Sequence, residues 1–183
     1  AEASASIGLM ETTMWLLGSI CSATAAGFYV QVSHQLGSND PARARSTLRQ
    51  GIMSVLVVSA LLGLVSLAVS PFLPTWLGGN SHITPTASAY FAIVATALPI
   101  FQFSIFGAGM LRSSGNMVVP SVMSVVMMSL DVVFNFFLIF PTRPVELFGT
   151  QIMMPGMGMG VMGAAIGTVS AELVAASITM YIL

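Results

Sequence analysis

Charged residues are scarce in this chain, and lysine is absent. Only 6% of the 183 residues are charged and 56% are hydrophobic, whereas a soluble domain carries about 25% charged residues. Such a sequence cannot cover a globular core with a polar surface, which argues against an ordinary water-soluble fold. Five basic residues, all arginine, also argue against a nucleic-acid partner, because that surface needs clustered basic side chains to contact phosphates.

Paired cysteines and the common catalytic motifs are missing as well. The single Cys21 lies in an apolar stretch, which excludes an internal disulfide and favours packing as a small hydrophobe. The sequence contains no glycine-rich phosphate loop with Lys-Ser/Thr, no paired-histidine metal motif and no nucleophile elbow. We therefore expect no enzyme. The first residues lack a basic region before the apolar run, so no secretory signal is expected.

Long apolar runs dominate the chain and predict membrane-spanning helices. A bilayer requires about 20 apolar residues per helix, and five runs meet this length. The predicted spans are 7–34, 41–69, 84–111, 117–140 and 160–183. Asp40 and Pro41 are typical of a helix start, and Pro99 predicts a kink in the third span. Residues 141–158 contain several prolines and glycines and are predicted to form a loop.

Small residues and arginines predict how these spans pack and how they are oriented. Rows at four-residue spacing indicate close helix contacts; they are Ser19, Ala23 and Gly27 in the first span and Gly163, Gly167 and Ala171 in the fifth. Four of the five arginines fall in the two turns on one side of the bundle, which the positive-inside rule assigns to the cytoplasm. The chain also ends without a cap or a polar flank, so we expect a fragment of a longer protein.

One acid lies inside the fourth apolar run. Asp131 is followed one helical turn later by Asn135, so both side chains lie on one face. A charge in a membrane-spanning helix costs at least a few kcal/mol and usually marks an ion or substrate path. At 1.5 Å per residue, Asp131 lies about 13 Å, and Thr168 of the fifth span about 12 Å, below the outer end. These oxygens at one depth predict a site for Na+ or a proton; the alternative is ordinary interhelical hydrogen bonding.

Two further acids belong to the candidate site. Glu172 lies one turn after Thr168, at about 18 Å by the same count, on nearly the same helix face. Glu11 lies near the outer surface of the first span, where it either joins the site or extends its carboxylate to water. Tyr90 and Gln102 of the third span are interpreted as packing and interfacial residues rather than ligands.

Three polar turns carry a family resemblance. Residues 31–45 read QVSHQLGSNDPARAR, residues 109–116 read GMLRSSGN, and residues 158–168 read GMGVMGAAIGT. In this order and spacing they resemble three turns of the multidrug and toxic compound extrusion (MATE) family: the loop after helix two, the loop between helices four and five, and the start of helix six. The resemblance covers essentially the whole chain.

The resemblance implies an all-α polytopic membrane fold. Residues 1–183 would be five transmembrane helices, the second to the sixth, of one six-helix bundle in a twelve-helix transporter, without the first helix and the second bundle. The implied function is a secondary antiporter that exports cationic amphipathic drugs and toxic compounds in exchange for Na+ or H+, with no other cofactor. Its partners would be membrane lipids and small organic cations, and its location a prokaryotic cell (inner) membrane.

The resemblance also bears on the candidate site. Asp131 and Asn135 fall where many family members carry a polar pair in helix five, and Thr168 matches a hydroxyl position in helix six. Prokaryotic members with an acid in this pair commonly have asparagine first and aspartate one turn later. The order here is reversed, which moves the charge about 6 Å toward the cytoplasm.

Two alternatives to a drug exporter remain open. A flippase for lipid-linked saccharides, from the same superfamily, is expected to line its cavity with more arginines than this chain offers outside its first cytoplasmic loop. A non-transporting membrane scaffold subunit would use Asp131 only for helix packing. Removing the charge of Asp131 separates the scaffold from both transporters.

Overall fold

The structure is a computed structural model that describes residues 2–79, 82–147 and 150–183. Within these ranges most of the chain is helical. The helices are α1 (Glu2–Gly37), α2 (Pro41–Val69), α3 (Leu73–Trp76), α4 (Thr84–Thr96), α5 (Leu98–Ser113), α6 (Val118–Ile139) and α7 (Gly160–Ile182), and two strands, β1 (Pro141–Leu147) and β2 (Thr150–Met157), connect α6 to α7.

Four of these helices are long and apolar enough to cross a bilayer: α2, α6, α7 and the part of α1 from Ile7 to Gly37. The pair α4 and α5 passes the same test as one span that is bent by 47°. The described part of the chain is therefore an all-α polytopic membrane protein with four or five spanning helices, as the sequence predicted.

The start of α2 follows the predicted capping pattern. The Asp40 side chain accepts a hydrogen bond of 3.0 Å from the backbone N–H of Arg43, and Pro41 occupies the first turn. Asn39 adopts a φ of 58°, the left-handed conformation that lets the chain reverse after α1. The predicted helix start at Asp40 and Pro41 is confirmed.

The third predicted span is broken rather than merely kinked. α4 ends at Thr96 and α5 begins at Leu98, with Pro99 in the first turn of α5. Proline has no N–H to donate to the carbonyl four residues earlier, so the Ala95 carbonyl loses its helical partner. Gly63 of α2 lies against this carbonyl, because a Cβ there would be 3.1 Å from the Ala95 oxygen. The bend therefore lies at a close contact with α2.

Residues 141–158 were predicted to be a loop, and the structure corrects this prediction. β1 and β2 form an antiparallel hairpin in which Pro144 faces Met153 and Glu146 faces Gln151. Proline is compatible with strands that have a free edge, because the missing N–H can point away from the partner. Each strand of a two-stranded sheet has such an edge, so the prolines do not prevent pairing. The hairpin returns the chain directly from α6 to α7.

Only one of the two predicted small-residue rows lies in a helix contact within the described structure. Gly163, Gly167 and Ala171 of α7 are buried, and the first two lie against α6. Ser19, Ala23 and Gly27 of α1 are exposed, and a Cβ at Gly27 would meet no atom within 4 Å. α1 instead buries the face that carries Met10, Leu17, Cys21 and Ala25.

Candidate functional site

The candidate site is positioned by the antiparallel contact between α6 and α7. A Cβ at Gly163 would lie 2.5 Å from the Leu138 carbonyl oxygen, and one at Gly167 would lie 2.5 Å from Asn135 Oδ1. Glycine is needed at both places because no other residue lets the helices approach this closely. These two contacts fix which residues of α6 and α7 lie at the same level. Because the helices are antiparallel, residue numbers fall along α6 as they rise along α7.

This register revises the predicted grouping of the polar residues by depth. Asn135 lies level with Gly167 and Thr168. One turn further along, Asp131 lies level with Ala171 and Glu172. The helices are antiparallel, so one turn raises the residue number by about four on α7 and lowers it by about four on α6. The count from the helix ends had placed Asp131 level with Thr168. It differs from the structure by three to four residues, about one turn, because the two helix ends do not lie at the same height.

Asp131 and Asn135 each carry an oxygen without a hydrogen-bond partner in the described structure. Both residues are partly buried, and the buried, unpartnered atoms are Asp131 Oδ1 and Asn135 Oδ1. A buried oxygen without a donor is costly, so native proteins usually satisfy such atoms or use them to bind something. Carboxylate and amide oxygens are the ligands that hard cations prefer. The pair is therefore a suitable starting point for a cation or proton site.

Thr168 faces a cavity of about 240 Å³ formed by α1, α4, α5 and α7. Most of its lining is apolar, with Met14, Cys21 and Phe101 among the contributing side chains, and Tyr90 supplies a phenol. Tyr90 interacts electrostatically with both Glu11 and Asp131. The phenol is therefore within electrostatic range of the acid of α1 and the acid of α6.

Glu172 lies in a different cavity from Thr168, which was not expected from the sequence. This second cavity, of about 230 Å³, lies between α5, α6 and α7, and the Glu172 side chain lines it together with Ser104. Glu172 is only 6% exposed. The Ser104 side chain hydrogen-bonds its carboxyl group, and Glu172 also interacts electrostatically with Asp131. Thr168 and Glu172 are one turn apart on α7, but their side chains line different cavities.

Glu11 is exposed in the described structure. It interacts electrostatically with Tyr90, which also interacts with Asp131. Both readings of Glu11, as a snorkelling carboxylate and as an outer member of the site, are compatible with this position.

The acids in the described spans have no basic partner. Within the part of the chain that the structure describes, the ion pair is the one between Arg43 Nε and Asp40 Oδ2 at 3.6 Å, at the start of α2. Among the described residues, no three of the His, Cys, Asp and Glu side chains group closely enough to hold a metal ion by themselves. A cation at Asp131 would have to use Asn135, a hydroxyl such as that of Thr168, and further ligands.

Tyr90 and Ser104 were undervalued by sequence reasoning. Tyr90 had been interpreted as an interfacial residue, and Ser104 was not singled out. Tyr90 lies in α4 and lines the cavity of Thr168, and Ser104 lies in α5 and lines the cavity of Glu172. Gln102 is fully buried and donates from Nε2 to the Cys21 carbonyl at 3.1 Å, which agrees with its predicted packing role. The break at Pro99 was the one signal that could have drawn attention to this region.

Comparison with known proteins places this geometry in a family. Residues 1–137 match the MatE family. The whole chain is 26% identical over 183 residues to a FAD transporter of Shewanella oneidensis and spans 38% of that protein's length.

Solved structures share the fold over the full chain. An inward-facing multidrug resistance MATE family transporter of the MOP superfamily superposes with a TM-score of 0.85 at 20% identity, covering 100% of this chain and 38% of that one. A MOP superfamily transporter from Pyrococcus furiosus, for which a binding pocket of reverse polarity and a different function are suggested, gives a TM-score of 0.79 at 20% identity, covering 99% and 37%. The family match and the shared fold confirm the resemblance: the chain belongs to the MATE family.

Proposed function

We propose that this chain is part of a secondary antiporter that exports cationic amphipathic compounds in exchange for Na+ or H+ across a prokaryotic cell membrane. The observation that carries the proposal is the unpartnered pair of oxygens, Asp131 Oδ1 and Asn135 Oδ1, inside a membrane-spanning helix. An acid in this environment is expensive unless it binds a cation or a proton. Asp131 is the coupling carboxylate, Asn135 and Thr168 supply neutral oxygens, and Glu11 and Tyr90 lie toward its outer side.

Charge favours a cationic over an anionic cargo for this half of the cavity. Asp131, Glu172 and Glu11 are the acids of the described spans, and none of them has a basic partner among the described residues. A negatively charged compound would be repelled by Asp131 and Glu11, whereas an organic cation would be attracted. The apolar lining of the Thr168 cavity suits the hydrophobic part of an amphipathic molecule.

A flavin-nucleotide cargo is the second candidate, because the Shewanella oneidensis relative is a FAD transporter. The phosphates of such a cargo would need basic side chains in the central cavity. Arg43, Arg45, Arg49 and Arg112 are all exposed and lie at helix ends. This candidate therefore requires that the second half of the transporter supply the positive charge. The flippase alternative makes the same demand.

Transport by the complete protein in proteoliposomes tests the proposal. Efflux of a fluorescent organic cation is measured with a Na+ gradient and a pH gradient imposed separately, for the wild type and Asp131→Asn. Loss of one charged interaction is worth about 1.5–3 kcal/mol, so we expect ion-driven efflux to fall about tenfold or more under the gradient that drives the wild type.

Asp40→Asn is the matched control. It removes one carboxylate by the same substitution, and asparagine caps a helix as well as aspartate does. We expect its efflux to stay close to that of the wild type. Full efflux by Asp131→Asn under both gradients would refute the coupling role, and no efflux by the wild type under either gradient would favour the scaffold. Flavin-nucleotide transport without organic-cation transport would favour the second candidate.

A further inference from the structure

The cavity between α5, α6 and α7 contains an acid that the proposed exchange does not use. Its lining is mostly methionine, alanine and proline side chains, with four polar groups: Ser104, Ser124, Glu172 and Thr179. Glu172 is the only charged residue among the lining side chains. The cavity is separate from the one that Thr168 lines, because the two share no lining residue.

The hydroxyl groups of this cavity give Glu172 little support as an anion. The Ser124 hydroxyl donates to the Pro120 carbonyl at 2.9 Å, and the Thr179 hydroxyl donates to the Ala175 carbonyl at 2.7 Å. Both protons are therefore used within their own helices. Among the described residues, only Ser104 hydrogen-bonds the carboxyl group, and Glu172 Oε2 is buried without a partner there.

Among the described residues of the helices packed against α7, no positive charge compensates Glu172. α6 contributes Asp131, which carries the same sign and interacts with Glu172. Arg112 of α5 is exposed in the last turn of its helix. Tyr90 of α4 and Glu11 of α1 interact with one another and contribute no positive charge. A carboxylate that is more than nine-tenths buried, next to a second acid and without a cation, is strongly disfavoured.

We propose that Glu172 and Ser104 form a proton-binding site in this cavity and that Glu172 is protonated in the conformation described. The neutral carboxyl group accepts from Ser104 at one oxygen and carries its proton at the other, which removes the uncompensated charge. A metal cation fits less well, because hard cations gather several oxygen ligands and this lining is mostly thioether and alkyl. The site differs from the proposed coupling site in its cavity and in its residues.

Glu172 is also placed to affect Asp131. The two acids lie at one level of the α6–α7 contact and interact electrostatically. When Glu172 holds a proton, Asp131 faces no like charge from α7 and is free to hold a cation. When Glu172 loses the proton, a second negative charge appears beside Asp131. The proton site therefore sets the charge at the level of Asp131, whatever the cargo of the transporter is.

Infrared difference spectroscopy on the complete protein tests this site without measuring transport. A protonated carboxyl group absorbs at a higher C=O frequency than an amide or a carboxylate, and a buried one gives a separate band. We expect the wild type to show such a band at neutral pH. Glu172→Gln should abolish it, and Asp40→Asn should leave it unchanged, because Asp40 is in the solvent-exposed turn before α2.

Ser104→Ala provides a second measurement that does not alter Glu172. Removing the hydroxyl donor should weaken the hydrogen bond to the carboxyl group, so its band should move to higher frequency and remain present. A band that keeps its wild-type frequency and intensity in Glu172→Gln would overturn the proposal. So would a band in the wild type that disappears on addition of Na+ alone, because that outcome indicates a metal-cation site. The spectra report the protonation of Glu172 directly, so their interpretation does not depend on the result of the transport experiment.

Discussion

The contact between α6 and α7 predicts that Gly163→Ala destabilises the protein. The new Cβ would lie 2.5 Å from the Leu138 carbonyl oxygen and 2.7 Å from its carbonyl carbon. Favourable contacts between heavy atoms lie at about 3.5–4.0 Å, so one helix must move away by roughly 1 Å. The same carbonyl accepts a 2.9 Å hydrogen bond from the N–H of Met159, which holds the turn between the hairpin and α7. Separation of the helices therefore also strains this bond.

The magnitude follows from three opposing contributions. Overpacking costs about 1–3 kcal/mol, and loss of a hydrogen bond costs about 0.5–1.5 kcal/mol. Alanine gains up to about 1 kcal/mol over glycine in helix propensity. The net expectation for Gly163→Ala is a loss of about 1–3 kcal/mol. Gly37→Ala measures the propensity gain alone, because a Cβ at Gly37 meets no atom within 4 Å.

Thermal unfolding of the complete protein in detergent is the assay. We expect the midpoint of Gly163→Ala to fall by a few degrees and that of Gly37→Ala to stay within the range of surface substitutions, about 0.5 kcal/mol. A midpoint for Gly163→Ala equal to or above that of Gly37→Ala would refute the close contact. Gly167→Ala separates stability from function, because its Cβ meets the side-chain amide of Asn135, which can rotate. We expect a smaller loss of stability and a clear loss of ion-driven transport.

Three further substitutions test the site and the cap. Thr168→Val removes the cavity hydroxyl and should weaken the apparent affinity for the coupling ion about tenfold. Thr168→Ser keeps a hydroxyl and should keep the wild-type affinity. Both are measured as transport in proteoliposomes at increasing ion concentration. The double exchange Asp131→Asn with Asn135→Asp restores the pair order common in the family; if a carboxylate on this face suffices, it should recover most of the transport that Asp131→Asn loses. Asp40→Ala should cost about 1 kcal/mol through loss of the cap, and an unfolding midpoint equal to that of Asp40→Asn would contradict this role.

Local signals in the sequence predicted the helices well. The bounds of α2 follow from Asp40, Pro41 and the apolar run, and α6 and α7 begin and end within a residue or two of the predicted spans. Capping and apolar length act over a few residues, so they can be read directly from the sequence. The hairpin was missed because proline and glycine also mark loops. Its strands are held by pairing between β1 and β2, which neither segment reveals alone.

The arrangement of the site was less predictable, because it depends on contacts between helices. Asp131 and Asn135 were found from their cost in a membrane span, which is a property of one helix. The partition of Thr168 and Glu172 between two cavities depends on which helices flank α7 on each side. Residues four apart differ by about 40° around a helix, which is enough to place them on different neighbours. Sequence spacing does not identify those neighbours.

The reversed order of the acid and the amide in α6 has a structural consequence in this chain. If the aspartate stood at position 135, it would lie level with Gly167 and Thr168, one turn away from Glu172. At position 131 it lies level with Glu172 and interacts with it. Two acids at one level repel each other unless one is neutral, so Asp131 and Glu172 cannot be treated as independent sites. The position of Asp131 and the protonation proposed for Glu172 are therefore linked, and exchanging residues 131 and 135 should weaken that link by moving the charge about 6 Å along α6.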